Sequence, residues 1–207
     1  MGGYERLKTG ILLSGGMDSL ALTWWKRPDV AFTVDYGQAA ALAEYHAASA
    51  ACLELKIEHH LLRVDCGSLG SGDMVLSEPD AHAPNTDWWP YRNQLIVTIA
   101  AMKAIALEVE ILWLGTVKSD QSHKDGTTEF LRLINNLVEY QEGELRVEAP
   151  AISMSTLDLI KMAGIPPHVL AWAHSCHKAN VPCNNCRGCN KYRETYERAG
   201  NDLDWAR

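Results

Sequence analysis

The sequence predicts an α/β fold, with a parallel doubly wound sheet followed by a small C-terminal metal-binding segment. Three observations carry that prediction. Short β-rich runs alternate with helix-like stretches, as when parallel strands are joined by crossover helices. The first β-rich run ends in Ser14-Gly15-Gly16, and a helix-like stretch follows at once. Four of the six cysteines, Cys176, Cys183, Cys186 and Cys189, crowd into 14 residues. A boundary is expected near residue 170, with the α/β unit over 1–170 and the cysteine segment and its helix over 171–207.

Gly10–Leu13 suits a short buried strand and Met17–Lys26 a helix. Val30–Asp35 is a second β-rich run, ended by Tyr36-Gly37. Gln38–Lys56 is alanine-rich and helical in character, and Ile57–Val64 reads as a third strand. Residues 65–90 are irregular, broken by Gly67, Gly70, Gly72, Pro79, Pro84 and Pro90, and a loop of that length in a compact domain is usually functional or mobile. Asn93–Leu107 predicts a helix, Val109–Gly115 a strand, Thr127–Glu142 a helix and Leu145–Ala149 a last short strand. Ser155–Ala163 follows as a helix, with Ser155 as its cap and Asp158 in the capping-box position. A charged helix from about Arg187 to Ala199 closes the pattern.

Composition narrows the function. The 207 residues are 47% hydrophobic, enough for one substantial core. No apolar run approaches the roughly 20 residues of a membrane span. Met1–Arg6 leads into no apolar signal core, so a soluble cytoplasmic protein is expected. The formal net charge of -7 argues against a nucleic-acid partner, because neutralising phosphates supplies most of such affinity.

In a parallel sheet, ligands sit beyond the carboxyl ends of the strands. Ser14-Gly15-Gly16 falls there. Glycines let a backbone approach an anion, and the free N–H groups of a helix start point at it. Ser14 and Ser19 add hydroxyl donors. Asp18 would repel a phosphate directly but suits a magnesium ion carried by a nucleotide. The spacing is neither the lysine-bearing GxxxxGK[ST] loop nor the GxGxxG fingerprint.

The cysteines read C-x6-C-x2-C-x2-C. Four closely spaced thiolates on turns suit structural zinc, which supplies folding energy to a segment poor in apolar residues. An iron–sulfur cluster uses similar spacing, and a redox CxxC needs only two of the four. With four thiolates filling the site, His174 and His177 are expected to be solvated or to stand behind the ligands. Cys52 and Cys66 are expected to be small buried or half-buried residues.

The stretch Ser14-Gly15-Gly16-Met17-Asp18-Ser19 resembles the PP-loop pyrophosphatases, which cleave ATP between its α and β phosphates. With it come VDYGQ (Val34–Gln38), YRN after Pro90 (Tyr91–Asn93), GTVKSD (Gly115–Asp120), Glu129-Phe130, and Ser175-Cys176 with Lys178 two residues beyond. In that order, over nearly the whole length, the chain resembles the 7-cyano-7-deazaguanine synthase family. The resemblance implies an adenine nucleotide alpha hydrolase-like sheet. It implies adenylation of the carboxylate of 7-carboxy-7-deazaguanine by ATP, amidation by ammonia, and dehydration to the nitrile at the expense of a second ATP. It also implies a homodimer. ATP would be met by Ser14, Gly15, Gly16, Met17, Asp18, Ser19 and Asp35. The deazapurine would be met by Tyr36, Gln38, Arg92, Asn93, Asp120, Asp125 and Lys178. Asp18, Arg92 and Asp120 would serve the chemistry, Arg92 as a positive clamp.

Residues 121–128, QSHKDGTT, depart from the family pattern: Asp125 is kept, but Gly126 and Thr127 stand in place of a cysteine and an arginine. Tyr91 replaces a glycine. Relatives that pass the activated carboxylate to another amine, such as a protein amine, and stop at the amide resemble this chain as well; some occur in antiviral operons. RNA thiolation would want a catalytic cysteine, and Cys66 sits in no motif. A zinc-stabilised binder without turnover would leave the intact glycine turn unexplained. Trp24, Trp25, Trp113 and Trp172 are expected in the core, while Trp88 and Trp89 could cover a flat heterocycle.

Overall fold

The computed structural model describes residues 6–202. Five strands form one parallel sheet in the order β3-β2-β1-β4-β5: β1 (Thr9–Leu12), β2 (Val30–Asp35), β3 (Glu58–Arg63), β4 (Ile111–Leu114) and β5 (Arg146–Glu148). Among the described residues, seven α-helices join or follow them: α1 (Met17–Lys26), α2 (Ala41–Leu55), α3 (Arg92–Ala106), α4 (Thr128–Tyr140), α5 (Thr156–Ala163), α6 (Pro167–Leu170) and α7 (Arg187–Asp202).

Side chains alternate across a strand, so β1 feeds two cores at once. Ile11 points to one face, where α1, α2, α5 and α6 bring Leu20, Ala48, Ile160 and Leu170. Leu12 points to the other, where α3 and α4 bring Val97, Ala100 and Ile134 to meet Phe32 and Leu112. Both faces are covered, which is why the central strands read as unbroken apolar runs.

The helix ends follow local chemistry. Ser155 accepts from the Asp158 amide while the Asp158 carboxylate accepts from Ser155, the expected capping box at the start of α5. The Thr127 hydroxyl accepts from the Phe130 amide at the start of α4. The expected start of α2 at Gln38 moves to Ala41, because Gln38 spends its side chain on the turn before the helix. Short 3-10 turns at Gly67–Leu69 and Gly72–Met74 lie within the long irregular stretch. Of the tryptophans, Trp24, Trp25 and Trp113 pack partly buried against the core. Trp172 is instead an exposed side chain, edge-on to His168, because it follows α6 at the surface. Cys52 is buried and Cys66 half-buried.

The C-terminal helix packs on the body: α7 lies against α5, Ala199 is fully buried in the core, and Lys161 pairs with Asp202 at 2.9 Å. Among the described residues, no helix is long and apolar enough to cross a membrane.

Candidate functional site

The sheet order reverses beside β1, whose two neighbours are β2 and β4. At such a switch point the connections leave in opposite directions and open a crevice beyond the strand ends. The turn Ser14–Gly16 sits there, between β1 and α1. Gly15 has φ +74°, and a Cβ on it would lie 2.4 Å from the Glu44 carbonyl oxygen, so the position admits no side chain. Ser14 and Ser19 hydroxyls meet at 3.1 Å, and Ser19 donates to the Gly16 carbonyl. From the other neighbour, Gly115 ends β4 against α1; a Cβ there would meet Ser19 Cα at 3.0 Å.

The crevice holds about 1100 Å³. That is slightly above the usual range for small-molecule sites. One end is lined by the glycine turn with Met17 and Asp18. Asp18 is half-buried, and desolvation holds its carboxyl above the ordinary range, partly offset by Lys191. Lys191, from α7, reaches Asp18 at 2.8 Å and Asp120 at 3.7 Å. The Asp18 Oδ1 atom is buried without a hydrogen-bond partner.

The other end is aromatic and polar. Tyr36 meets Trp89 edge-on at 4.9 Å between centroids, and Trp88 stands next to them. Arg92 is set beside them by the start of α3. Burial works against its charge, but Tyr36, Asp125, Glu44 and Asp87 outweigh that and raise its proton affinity. Burial pushes Glu44 up to about 6, against the Gln38 amide that donates to it at 2.8 Å. Asn93 donates to the Asp125 carbonyl at 2.9 Å, fastening α3 to the segment that departs from the family pattern. Asp87 faces His177 at 3.4 Å and Arg187 at 3.6 Å. Arg187 also reaches His123 and Ser122, so one side chain ties three segments together at the crevice wall.

Of the expected site residues, Ser14, Gly16, Met17, Asp18, Ser19, Tyr36, Arg92, Asn93, Asp120 and Asp125 line this one crevice. Gly15 supplies its turn. Three others stand apart. Asp35 caps the Gly37 amide and faces Arg63 at 3.8 Å. Gln38 is buried, with its amide bonded to Tyr36, Val34 and Glu44. Lys178 pairs with Asp73 at 3.0 Å. Lys191, Glu44, Asp87 and Arg187 escaped sequence reading. Lys191 and Arg187 looked like ordinary residues of a charged helix, and nothing local marks Glu44 or Asp87. Tyr91 is 80% exposed in the left-handed region at φ 60°, which explains why a glycine would suit its place.

The four Sγ atoms of Cys176, Cys183, Cys186 and Cys189 lie within 4.8 Å of one another. The Cys183–Cys189 and Cys176–Cys186 pairs are 3.9 and 4.0 Å apart. Tetrahedral zinc with Zn–S bonds of about 2.3 Å needs sulfurs roughly 3.8 Å apart. The cluster therefore fits zinc. Amides of His177 and Cys189 donate to the Cys186 sulfur, and a Cβ on Gly188 would lie only 1.8 Å from the Ser175 carbonyl oxygen. The segment is tied to the glycine turn: the His174 amide donates to the Gly15 carbonyl at 2.9 Å, and Asn180 caps the Ala43 amide at 3.0 Å.

Residues 8–200 match the family model described as queuosine biosynthesis protein QueC. Among curated relatives, a 7-cyano-7-deazaguanine synthase of Methanocaldococcus jannaschii is 26% identical over 94% of this chain and 96% of its own. Synthases of the same name from Desulforudis audaxviator and Methanothermobacter thermautotrophicus are each 30% identical. They cover 94% and 92% of this chain, and 98% and 95% of their own.

Proposed function

The chain belongs to the queuosine biosynthesis protein QueC family, and from that premise we propose that it activates the carboxylate of a 7-carboxy-7-deazapurine with ATP and passes it to an amine. The observation that carries this reading is the glycine turn at the switch point, with the half-buried Asp18 beside it and an aromatic wall in the same crevice.

In the first step a carboxylate oxygen attacks the α phosphorus, the bond to the β phosphate oxygen breaks, and pyrophosphate leaves. The backbone N–H groups at the start of α1 and the Ser14 and Ser19 hydroxyls are donors for charge that grows on the leaving group. Asp18 and Asp120 would be oxygen donors for magnesium carried by the nucleotide, and the unpartnered Oδ1 of Asp18 suits such a hard cation. Magnesium would neutralise the developing pyrophosphate charge. Trp89 and Tyr36 give a flat heterocycle an apolar wall. Arg92 and Glu44 beside them offer a donor fork and an acceptor to its edge.

In the second step the amine nitrogen attacks the acyl carbon, AMP leaves, and the nitrogen gives up a proton. With ammonia the product is an amide, which a second ATP can drive to the nitrile. A second reading is favoured by the segment 121–128. Ser122, His123, Lys124, Asp125 and Gly126 line the crevice wall while departing from the family pattern. In that reading another amine, such as one on a protein, takes the acyl group and the reaction stops at the amide.

The test is mass spectrometry of products after incubation with ATP, magnesium, 7-carboxy-7-deazaguanine and ammonium. A nitrile supports the synthase reading. A persistent acyl-adenylate or an amide without nitrile supports the second. No AMP or pyrophosphate with any deazapurine acid overturns both.

A further inference from the structure

Lys191 carries a role that its sequence neighbourhood hides. It follows Cys189 by two residues on a helix whose exposed face is a run of charges, yet its ammonium leaves that face and enters the crevice. There it lies 2.8 Å from Asp18 and 3.7 Å from Asp120, two carboxylates from separate elements. Asp18 keeps its other oxygen, Oδ1, buried and unpartnered. The glycine turn itself contains no lysine or arginine. Arg92 and Arg187 face Glu44, Asp125 and Asp87 instead.

An ammonium between two carboxylates occupies the kind of oxygen-donor position that a divalent cation takes. It also hangs on a flexible four-carbon stem with three rotatable donors, so it can change partner without moving the helix. The helix is held in place by the cysteine cluster, by Gly188, whose Cβ would strike the Ser175 carbonyl, and by the packing of Ala199 in the core.

We propose that Lys191 is a phosphate-binding cation of this crevice, delivered from α7, and that it exchanges places with the metal. Without nucleotide it bridges Asp18 and Asp120. When magnesium and ATP enter, the carboxylates turn to the metal and the Lys191 ammonium turns to the phosphates. This rests on the nucleotide reading above and adds to it a residue from outside the glycine turn. It also makes the cysteine cluster a positioning element for nucleotide binding, since the cluster fixes the helix that aims Lys191.

The exchange makes a two-sided prediction for Lys191→Met, which keeps length and removes charge. Binding of Mg–ATP, followed by calorimetry, should weaken at least tenfold. Binding of Mn²⁺ alone, followed by electron paramagnetic resonance, should tighten, because the ammonium no longer competes for Asp18 and Asp120. Lys191→Arg should keep most of the ATP affinity. Zinc content and circular dichroism of each variant check the fold. A merely structural lysine would weaken both ligands together, and that result overturns the proposal. So does unchanged ATP binding in Lys191→Met when the parent protein binds it. A parent that binds no Mg–ATP overturns the nucleotide reading itself.

Discussion

Replacing Glu44 by glutamine should make the protein more stable near neutral pH and leave it nearly unchanged in acid. Glu44 is a carboxyl within the crevice wall, raised to about 6 chiefly by burial. The gap from the ordinary glutamate value of 4.5, at about 1.4 kcal/mol for each tenfold change in proton affinity, amounts to about 2 kcal/mol. Between those two values the folded protein holds a proton that the unfolded chain releases, so stability falls as pH rises through the window. Glutamine carries no charge at any pH in this range, and its side-chain oxygen can still accept from the Gln38 amide. The difference in unfolding free energy, Glu44→Gln minus parent, should therefore grow by up to about 2 kcal/mol from pH 4.5 to 7 and then level off. Urea unfolding of the zinc-loaded protein, followed by tryptophan fluorescence at half-unit pH steps, measures it. A difference that stays flat over that range, or shrinks as pH rises, would refute the reasoning.

Gly15→Ala should cost about 2 kcal/mol or more, from the left-handed φ and the clash with the Glu44 carbonyl, and should abolish ATP binding in calorimetry. Gly188→Ala should lower the zinc-to-protein ratio measured by atomic absorption and destabilise by about 3 kcal/mol, since no relaxation of a side-chain tip relieves contact with a carbonyl. Asp29 accepts from both the amide and the hydroxyl of Thr9, and although burial opposes it, these bonds and Arg6 hold its carboxyl below the ordinary range. The stability it contributes is present above the ordinary aspartate value and is lost as pH falls through the lower folded one. Asp29→Asn should thus cost about 1 kcal/mol at pH 7 and flatten acid unfolding below about pH 4. Chelating the zinc should lower the melting temperature and release α7, visible as lost helical ellipticity.

Where sequence reading succeeded, the information was local. Met17–Lys26 and Val30–Asp35 came out with the observed bounds because a glycine turn, a left-handed Arg27 and the Tyr36-Gly37 turn fix their ends. The capping box at Ser155 and the cysteine spacing are likewise local. Asp35 and Gln38 lie at a strand end facing the right direction, yet the chain spends both on closing the turn before α2. No pattern announces that. Asp87 and Glu44 acquire their setting only when distant segments fold over Arg92, and Lys191 meets Asp18 across 173 positions. Contacts of that span leave no periodic trace in a single sequence.

That span also orders events during synthesis. The central strand β1 is made first but lies between β2 and β4, so the sheet cannot close until residue 114 has appeared. Lys191 and the last cysteine ligand come some seventy-five residues later. A nascent chain can thus carry a nearly finished sheet with an open glycine turn that has neither Lys191 beside Asp18 nor the His174 amide on Gly15. Translation therefore acts as a timer: the crevice beside the glycine turn lacks Lys191 and Arg187 until the cysteine segment has left the ribosome. Chains caught at that stage leave apolar surface uncovered where α7 packs on α5, and surface of that kind is what exposes a folding intermediate to aggregation and to chaperones.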